Sequence, residues 1–227
     1  AAAVPEHLRA LPATRVTTLP NGLRVASEAS GAKDGVATVG VWLDSGSAFE
    51  HEDANGVAHF LEHLSFKGTA RRTRLAIELE LEQMGASLNA YTSREQTAYF
   101  AQCLSGDVGR AVDVIADILM HSKLDDAAIE AERGVILQEK EHVEAQADEV
   151  LFDYLHAAAY QGHALGRTIL GTEACVRGIQ RAQLVDYIRE HYVPQRMALC
   201  AAGAVDHDQL VELAATTFGE LGGGGGA

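Results

Sequence analysis

Two pairs of β-rich runs, each joined by a short polar turn, constrain the fold of this chain more than any other feature. The first pair, at 14–19 and 23–27, flanks Pro20-Asn21-Gly22, and an Asn-Gly step between two such runs is a strong hairpin signal. The second pair, at 86–91 and 97–104, flanks another polar turn. Because a hairpin pairs its strands antiparallel, these runs predict a mainly antiparallel sheet.

The remaining periodic segments predict two further strands and a set of helices. An apolar, β-rich run at 36–43 and a shorter one at 197–202 are expected to be strands. Apolar residues recur at three- and four-residue steps in the segments expected to be helical, which are 56–66, 74–84, 108–119, 124–145, 149–160, 181–191 and 206–218. Hairpins combined with segregated helices predict an α+β fold, with a mainly antiparallel sheet and helices packed on one face.

Composition and charge exclude several classes of protein. The 47% content of apolar residues supports a core and excludes whole-chain disorder, and no apolar run reaches the 18 residues of a membrane span. Three widely spaced cysteines form neither a disulfide framework nor a CxxC metal site. The formal net charge of −14 argues against direct nucleic-acid binding, because phosphate contacts need clustered Lys and Arg. An acidic surface favours basic partners instead.

The segment His59-Phe60-Leu61-Glu62-His63 places three polar groups on one helix face. His59 and His63 fall about 40° apart, and Glu62 lies about 60° from His59 on nearly the same side. Burying two imidazoles and a carboxylate is costly unless a partner satisfies them, and a zinc ion with its water would do so. The alternative is an amphipathic helix whose histidines face water, since the pattern is short and occurs by chance. A third ligand on a separate element would decide between the two.

The predicted helix at 124–145 offers candidates for that third ligand. Glu132 and Glu139 are seven residues apart, so they lie within about 20° on one face, which would also carry Val135 and be partly apolar. A solvated pair on a glutamate-rich helix is the alternative. His142 is a competing ligand, because it follows Glu139 by one helical turn. Composition alone leaves the choice among these side chains open.

Four stretches of the chain resemble the pitrilysin/insulysin superfamily of zinc peptidases. They are TTLPNGLRV at 17–25, GVAHFLEHLSFKGT at 56–69, NAYTSREQT at 89–97 and LGRTILG at 165–171. The second contains the inverted zinc motif H-x-x-E-H. Within the superfamily the chain is most similar to the catalytic β subunits of the mitochondrial processing peptidases, which are related to core subunits of respiratory complex III.

The resemblance implies roles in catalysis for five residues. His59, His63 and Glu139 match the ligands of Zn²⁺. Glu62 matches the general base that activates the attacking water. Glu132 matches a supporting carboxylate near the ligands, and we place it with Glu62 in the catalytic set. A solvated surface glutamate remains the alternative for Glu132.

The resemblance also implies five substrate-binding residues. Glu149 and Asp153 match an acidic pair that receives an arginine just upstream of the cleaved bond, although a solvated acidic helix face is the alternative. Phe66 matches a residue lining the pocket for the side chain after the cut, and a core aromatic is the alternative. Asn89 and Ala90 match a strand edge that pairs with extended substrate backbone.

The activity implied by the resemblance is the removal of mitochondrial targeting presequences by a zinc metalloendopeptidase, within the core of respiratory complex III. The alternative is a catalytically idle structural core subunit of that complex. The implied location is the mitochondrial matrix or the matrix face of the inner membrane. The implied partners are an α subunit or second core subunit, other complex III subunits, and basic presequence peptides.

The resemblance covers one half of a two-half family architecture. We therefore expect residues 1–221 to form an N-terminal zinc peptidase domain and residues 222–227 to form a glycine-rich linker or disordered tail. A C-terminal half, on the same chain or on a separate one, is then required for activity.

Overall fold

A computed structural model describes residues 13–32 and 34–222 of the chain. Within these residues there are six strands: β1 Arg15–Thr18, β2 Arg24–Ala29, β3 Val36–Leu43, β4 Ser87–Thr92, β5 Thr97–Leu104 and β6 Met197–Gly203. The same residues form eight α-helices: α1 Val57–Ser65, α2 Arg74–Met84, α3 Val108–His121, α4 Asp126–Glu144, α5 Ala147–Ala159, α6 Glu173–Gly178, α7 Arg181–His191 and α8 His207–Phe218. None of these helices is both long enough and apolar enough to cross a membrane.

The six described strands form one sheet in the order β1-β2-β6-β3-β5-β4. Only β2 and β6 pair in parallel, and the other neighbours are antiparallel, so the prediction of a mainly antiparallel sheet is confirmed. Both predicted hairpins are present, as β1–β2 and β4–β5. The predicted glycine-rich tail lies outside the described residues apart from Gly222.

Helices cover one face of this sheet, as the sequence predicts. Val41 of β3 and Tyr99 of β5 lie opposite each other and are buried on that face. Ser65 of α1 lies against it, with its Oγ 3.1 Å from the Tyr99 hydroxyl. Trp42 and Phe100 stack on the opposite face with ring centroids 6.3 Å apart, and both remain partly exposed. The core therefore lies between the sheet and the helices.

A buried carboxylate from outside the helix satisfies the first turn of α1. Glu50 accepts hydrogen bonds from the backbone N–H groups of Gly56 and Ala58, at 2.8 and 2.9 Å, and from the side chain of Asn55 at 2.8 Å. Burial raises the pKa of Glu50 to about 7, although these three donors act in the opposite direction. Gly56 precedes the helix with φ +102° and has no side chain to cap it. Glu50 therefore takes the place of a local N-cap residue.

The short helix α6 was not predicted from the sequence. It has only six residues, and its side-chain cap is Thr172, whose oxygen accepts a hydrogen bond from the N–H of Cys175 at 3.1 Å. A segment of this length contains fewer than two turns, so its apolar residues cannot establish a helical period. The predicted helix at 149–160 begins two residues earlier, at Ala147.

The capping contact of Glu50 leads to a prediction about stability. Glu50→Ala should lower the free energy of unfolding by about 2–3 kcal/mol, because buried N–H donors lose their acceptor. The matched control is Glu52→Ala, at an exposed site two residues away. This variant should change the free energy of unfolding by less than about 0.5 kcal/mol. Urea denaturation of both variants measures the difference, and equal effects would show that Glu50 does not stabilise α1.

Candidate metal centre

Two histidines of α1 and one glutamate of α4 converge in the structure. The Nε2 atom of His63 lies 2.9 Å from Oε2 of Glu139, and the Nε2 atom of His59 lies 3.5 Å from Oε1 of the same carboxylate. One ligand atom from each of the three residues lies within 4.8 Å of the other two. His59 is buried, whereas His63 and Glu139 are partly exposed, so the cluster is open on one side. The three side chains can therefore hold one metal ion together.

The chemistry of these donors fits zinc. Two imidazole nitrogens and one carboxylate form a donor set found in catalytic zinc sites, where a fourth position stays open for water. Zinc binds imidazole nitrogen at about 2.0–2.1 Å and carboxylate oxygen at a similar distance. The predicted ligand role of His59, His63 and Glu139 stays a prediction.

The charges in the cluster are suited to a cation. Hydrogen bonds with His59 and His63 hold the pKa of Glu139 well below its usual range, despite partial burial. Burial lowers the pKa of His63, but hydrogen bonds to Glu139 and Glu132 outweigh burial and raise it overall. Glu139 is therefore ionised at neutral pH, as a metal ligand must be.

Glu132 lies directly behind His63. Its Oε1 atom is 3.0 Å from Nδ1 of His63, and its Oε2 atom is 2.7 Å from Nζ of Lys67. Burial of Glu132 favours a raised pKa, but hydrogen bonds with Lys67 and His63 outweigh burial and lower it. A carboxylate that hydrogen-bonds the second nitrogen of a ligating histidine fixes the orientation of the ring. This contact supports the predicted role for Glu132, which stays a prediction.

The inward face of α4 differs in one respect from the sequence-based expectation. Glu132 is 5% exposed, but Val135, expected on the same partly apolar stripe, is 46% exposed. Ile129 and Ile136 line the buried side of the helix instead. Ile136 and Val135 lie on opposite flanks of Glu132, and the core packs on the Ile136 flank. His142, the competing ligand, is exposed and lies outside the three-residue cluster.

Glu62 is a partly exposed carboxylate on α1, immediately before His63. Across residues 13–32 and 34–222 its side chain takes part in no hydrogen bond or ion pair. It also lies outside the cluster of three potential ligands. A carboxylate that neither ligates nor pairs is available to exchange a proton, which is what the predicted general base requires.

The predicted strand edge lies beside the candidate metal centre. Within the described part of the chain β4 pairs only with β5, so no strand covers its other side, where the N–H of Ala90 donates a hydrogen bond to Oδ1 of Asn89 at 2.9 Å. Asn89 on β4 is exposed and Ala90 is partly buried, and β4 contacts α1. Phe66, at the end of α1, is partly buried and packs against the core, which agrees with the core-aromatic alternative. The substrate roles of these three residues stay predictions.

The two predicted arginine receptors on α5 differ in their surroundings. Oδ1 of Asp153 lies 2.5 Å from Nη2 of Arg94, and Arg94 is in the turn between β4 and β5. Glu149, in contrast, is exposed and forms no ion pair among the described residues. Arg94 is this chain's own residue, and its side chain is only 12% exposed. Asp153 therefore already binds one guanidinium, and the predicted substrate role of the pair stays a prediction.

Sequence reasoning missed Lys67 and Arg94. Lys67 follows the histidine motif directly, and Arg94 lies in the turn next to the edge strand. Neither position has a spacing that predicts its partner, because each ion pair joins segments that are far apart in the chain. The one available signal was the excess of carboxylates, since a buried carboxylate requires a nearby cation.

Comparison with known proteins gives matches along nearly the whole described chain. The family model "Insulinase (Peptidase family M16)" matches residues 24–173, and the model "Peptidase M16 inactive domain" matches residues 178–226. The M16 family is generally zinc-dependent, which agrees with the potential His-His-Glu site.

Curated relatives include the β subunit of the mitochondrial-processing peptidase of Bos taurus. It is 59% identical over 210 residues, which are 92% of this chain and 42% of the relative. The corresponding subunit of Blastocladiella emersonii is 53% identical over 98% of this chain and 48% of its own length. The chain therefore spans less than half the length of these relatives.

Solved structures of peptidases also resemble this chain in fold. A protease from Helicobacter pylori superposes with a TM-score of 0.88 at 26% identity, covering 94% of this chain and 51% of that one. An M16-like peptidase from Alicyclobacillus acidocaldarius gives 0.81 at 28% identity, with coverages of 92% and 50%. These findings confirm the predicted family and fold: the chain belongs to the M16 family of peptidases, hydrolases of the peptide bond.

Proposed function

We propose that this chain is the catalytic, N-terminal half of a mitochondrial processing peptidase β subunit, a zinc endopeptidase that removes targeting presequences. The observation that carries the proposal is the convergence of His59, His63 and Glu139, with the unpaired Glu62 on the same helix. The relatives at 53–59% identity are β subunits of mitochondrial-processing peptidases, which supports targeting presequences as the substrate class. An idle structural subunit is the weaker alternative, because a scaffold needs none of these four side chains.

The proposed mechanism uses each side chain of the centre differently. When bound, zinc would lower the pKa of water to about 7 and polarise the scissile carbonyl. Glu62 takes a proton from the attacking water and later gives a proton to the leaving amine. Glu132 holds the ring of His63 through Nδ1, so that Nε2 stays directed at the centre. Substrate backbone extends along the free edge of β4.

The proposed substrates are basic peptides. Targeting presequences are rich in Arg and poor in acidic residues, and this chain has a net charge of −14. Glu149 and Asp153 would bind an arginine of the substrate near the cleaved bond, since a guanidinium binds carboxylates through paired hydrogen bonds. Because Arg94 holds Oδ1 of Asp153, the incoming guanidinium would use Glu149 and the second oxygen of Asp153.

The proposed assembly is larger than this chain. The relatives continue well beyond the matched residues, so we expect a C-terminal half to complete the active site. We also propose an α subunit or second core subunit as partner, in the mitochondrial matrix or on the matrix face of the inner membrane. Association with respiratory complex III is the most specific part of this proposal.

The role of Glu62 is tested by separating metal binding from cleavage. In the native assembly Glu62→Gln should retain zinc and lower kcat for a presequence peptide by about 10²–10⁴-fold, the contribution of a general base. Zinc content by elemental analysis and single-turnover cleavage measure the two properties.

Two further variants on α4 are the controls for this test. Glu139→Gln should lose both zinc and activity, whereas Glu141→Gln, at an exposed position on the same helix, should lose neither. Unchanged cleavage by Glu62→Gln would refute its assignment as the base. Retention of zinc by Glu139→Gln would refute the ligand assignment.

The proposed arginine site is tested most cleanly at Glu149, because a change at Asp153 would also release Arg94. Glu149→Gln should raise KM about tenfold or more for peptides with arginine near the cut, through loss of a charge-assisted bond, and leave peptides without it unchanged. Asp148→Asn, at the adjacent exposed position, should leave KM unchanged for both classes of peptide. If Glu149→Gln weakened both peptide classes equally, the arginine site would lie elsewhere.

A further inference from the structure

Lys67 connects the end of α1 to the buried carboxylate of Glu132. Its Nζ atom is 2.7 Å from Oε2 of Glu132, and the other oxygen of that carboxylate is 3.0 Å from Nδ1 of His63. The side chain of Glu132 is only 6% exposed, and that of Lys67 is 28% exposed. Lys67 and His63 therefore each bind a different oxygen of one carboxylate.

We propose that Lys67 is a positioning residue of the metal centre: it holds one oxygen of Glu132 so that the other oxygen fixes the ring of His63. This inference rests on the proposed function, because it assumes that His63 binds a metal ion through Nε2. It adds to that function a residue that lies outside the ligand set and outside the predicted catalytic residues.

The segment that carries Lys67 is held rigidly. Thr69, two residues on, is fully buried and donates a hydrogen bond to Asp117 at 2.6 Å. Arg72 donates to the same carboxylate at 2.9 Å, and its backbone N–H donates to Oγ1 of Thr69 at 2.8 Å. These contacts fix the chain on the C-terminal side of Lys67, while α1 fixes it on the other. The entropy cost of ordering the long lysine side chain is therefore reduced.

The charges at the centre also favour a cation in this position. Glu62, Glu132 and Glu139 contribute three negative charges, and histidines that bind a metal are neutral. A divalent ion supplies two positive charges, so one negative charge remains, and Lys67 supplies the third positive charge. Among the lysines and arginines of the described residues, only Lys67 forms an ion pair with the buried carboxylate of Glu132, so its removal would be destabilising.

Two explanations for Lys67 predict opposite effects on zinc affinity. If Lys67 is only a nearby positive charge, its removal relieves repulsion of the zinc ion and should tighten binding. If Lys67 positions Glu132 and His63, its removal disorders a ligand and should weaken binding about 10–100-fold. The direction of the change therefore distinguishes the two explanations without reference to activity.

The experiment measures the zinc dissociation constant of the native assembly by competition with a chelator. Lys67→Met should raise that constant at least about tenfold, and Lys67→Arg should stay within about threefold of the parent, because a guanidinium also forms a charge-assisted hydrogen bond with a carboxylate. Lys140→Met is the matched control, since Lys140 is next to Glu139 but pairs with Glu144, and it should not weaken binding. The absorption spectrum of the cobalt-substituted protein should change only in Lys67→Met.

A second background tests whether Lys67 acts through Glu132. In Glu132→Gln protein, the additional Lys67→Met change should have little further effect on zinc affinity, because the carboxylate it holds is absent. Lys67→Gln provides the same loss of charge if Lys67→Met does not fold, as judged by circular dichroism.

Three results would overturn the inference. Unchanged or tighter zinc binding by Lys67→Met and Lys67→Gln would show that Lys67 does not position the ligand. If Lys67→Met lowered zinc affinity by the same factor in the Glu132→Gln protein as in the parent, Lys67 would not act through Glu132. A parent protein that holds no zinc would overturn this inference and the proposed function together, whereas the first two results leave the proposed function intact.

Discussion

The contact between α1 and α4 is the interaction on which the rest of the structure depends. It brings two imidazoles and two carboxylates into a partly buried space, where His63 lies between Glu132 and Glu139. Such groups are costly to bury unless their charges and hydrogen bonds are satisfied. The hydrogen bonds from Lys67 and His63 meet part of that requirement, and a divalent cation would meet the remainder. The same arrangement leaves Glu62 unpaired and therefore available for proton transfer.

The position of α1 is controlled at both ends by groups outside the helix. Glu50 binds the N–H groups of the first turn, and the segment after the last turn is tied to Asp117 through Thr69. On its inner side α1 packs against the sheet near Tyr99. A short helix is marginal by itself, so its order comes from these tertiary contacts. Fixed ligands lose less entropy when they bind a metal, so the scaffold and the centre are energetically linked.

Much of the fold follows from local sequence signals. The Asn21-Gly22 step and the polar turn between the runs at 86–91 and 97–104 predict the two hairpins, and the spacing of His59 and His63 predicts their common face. The parallel pairing of β2 with β6 was not predictable, because it joins residues from the two ends of the chain. Local sequence signals also could not determine whether Glu139 or His142 faces the two histidines. Both lie on one helix, and only the packing of α4 on α1 determines which of them faces the histidines.

The most direct test of this account is X-ray absorption spectroscopy at the zinc edge on the native assembly. The account predicts one zinc per catalytic chain, with two imidazole nitrogens at about 2.0–2.1 Å and the remaining ligands oxygen. A protein without zinc, or a zinc shell with a single imidazole, would contradict the claim that His59, His63 and Glu139 form a metal centre.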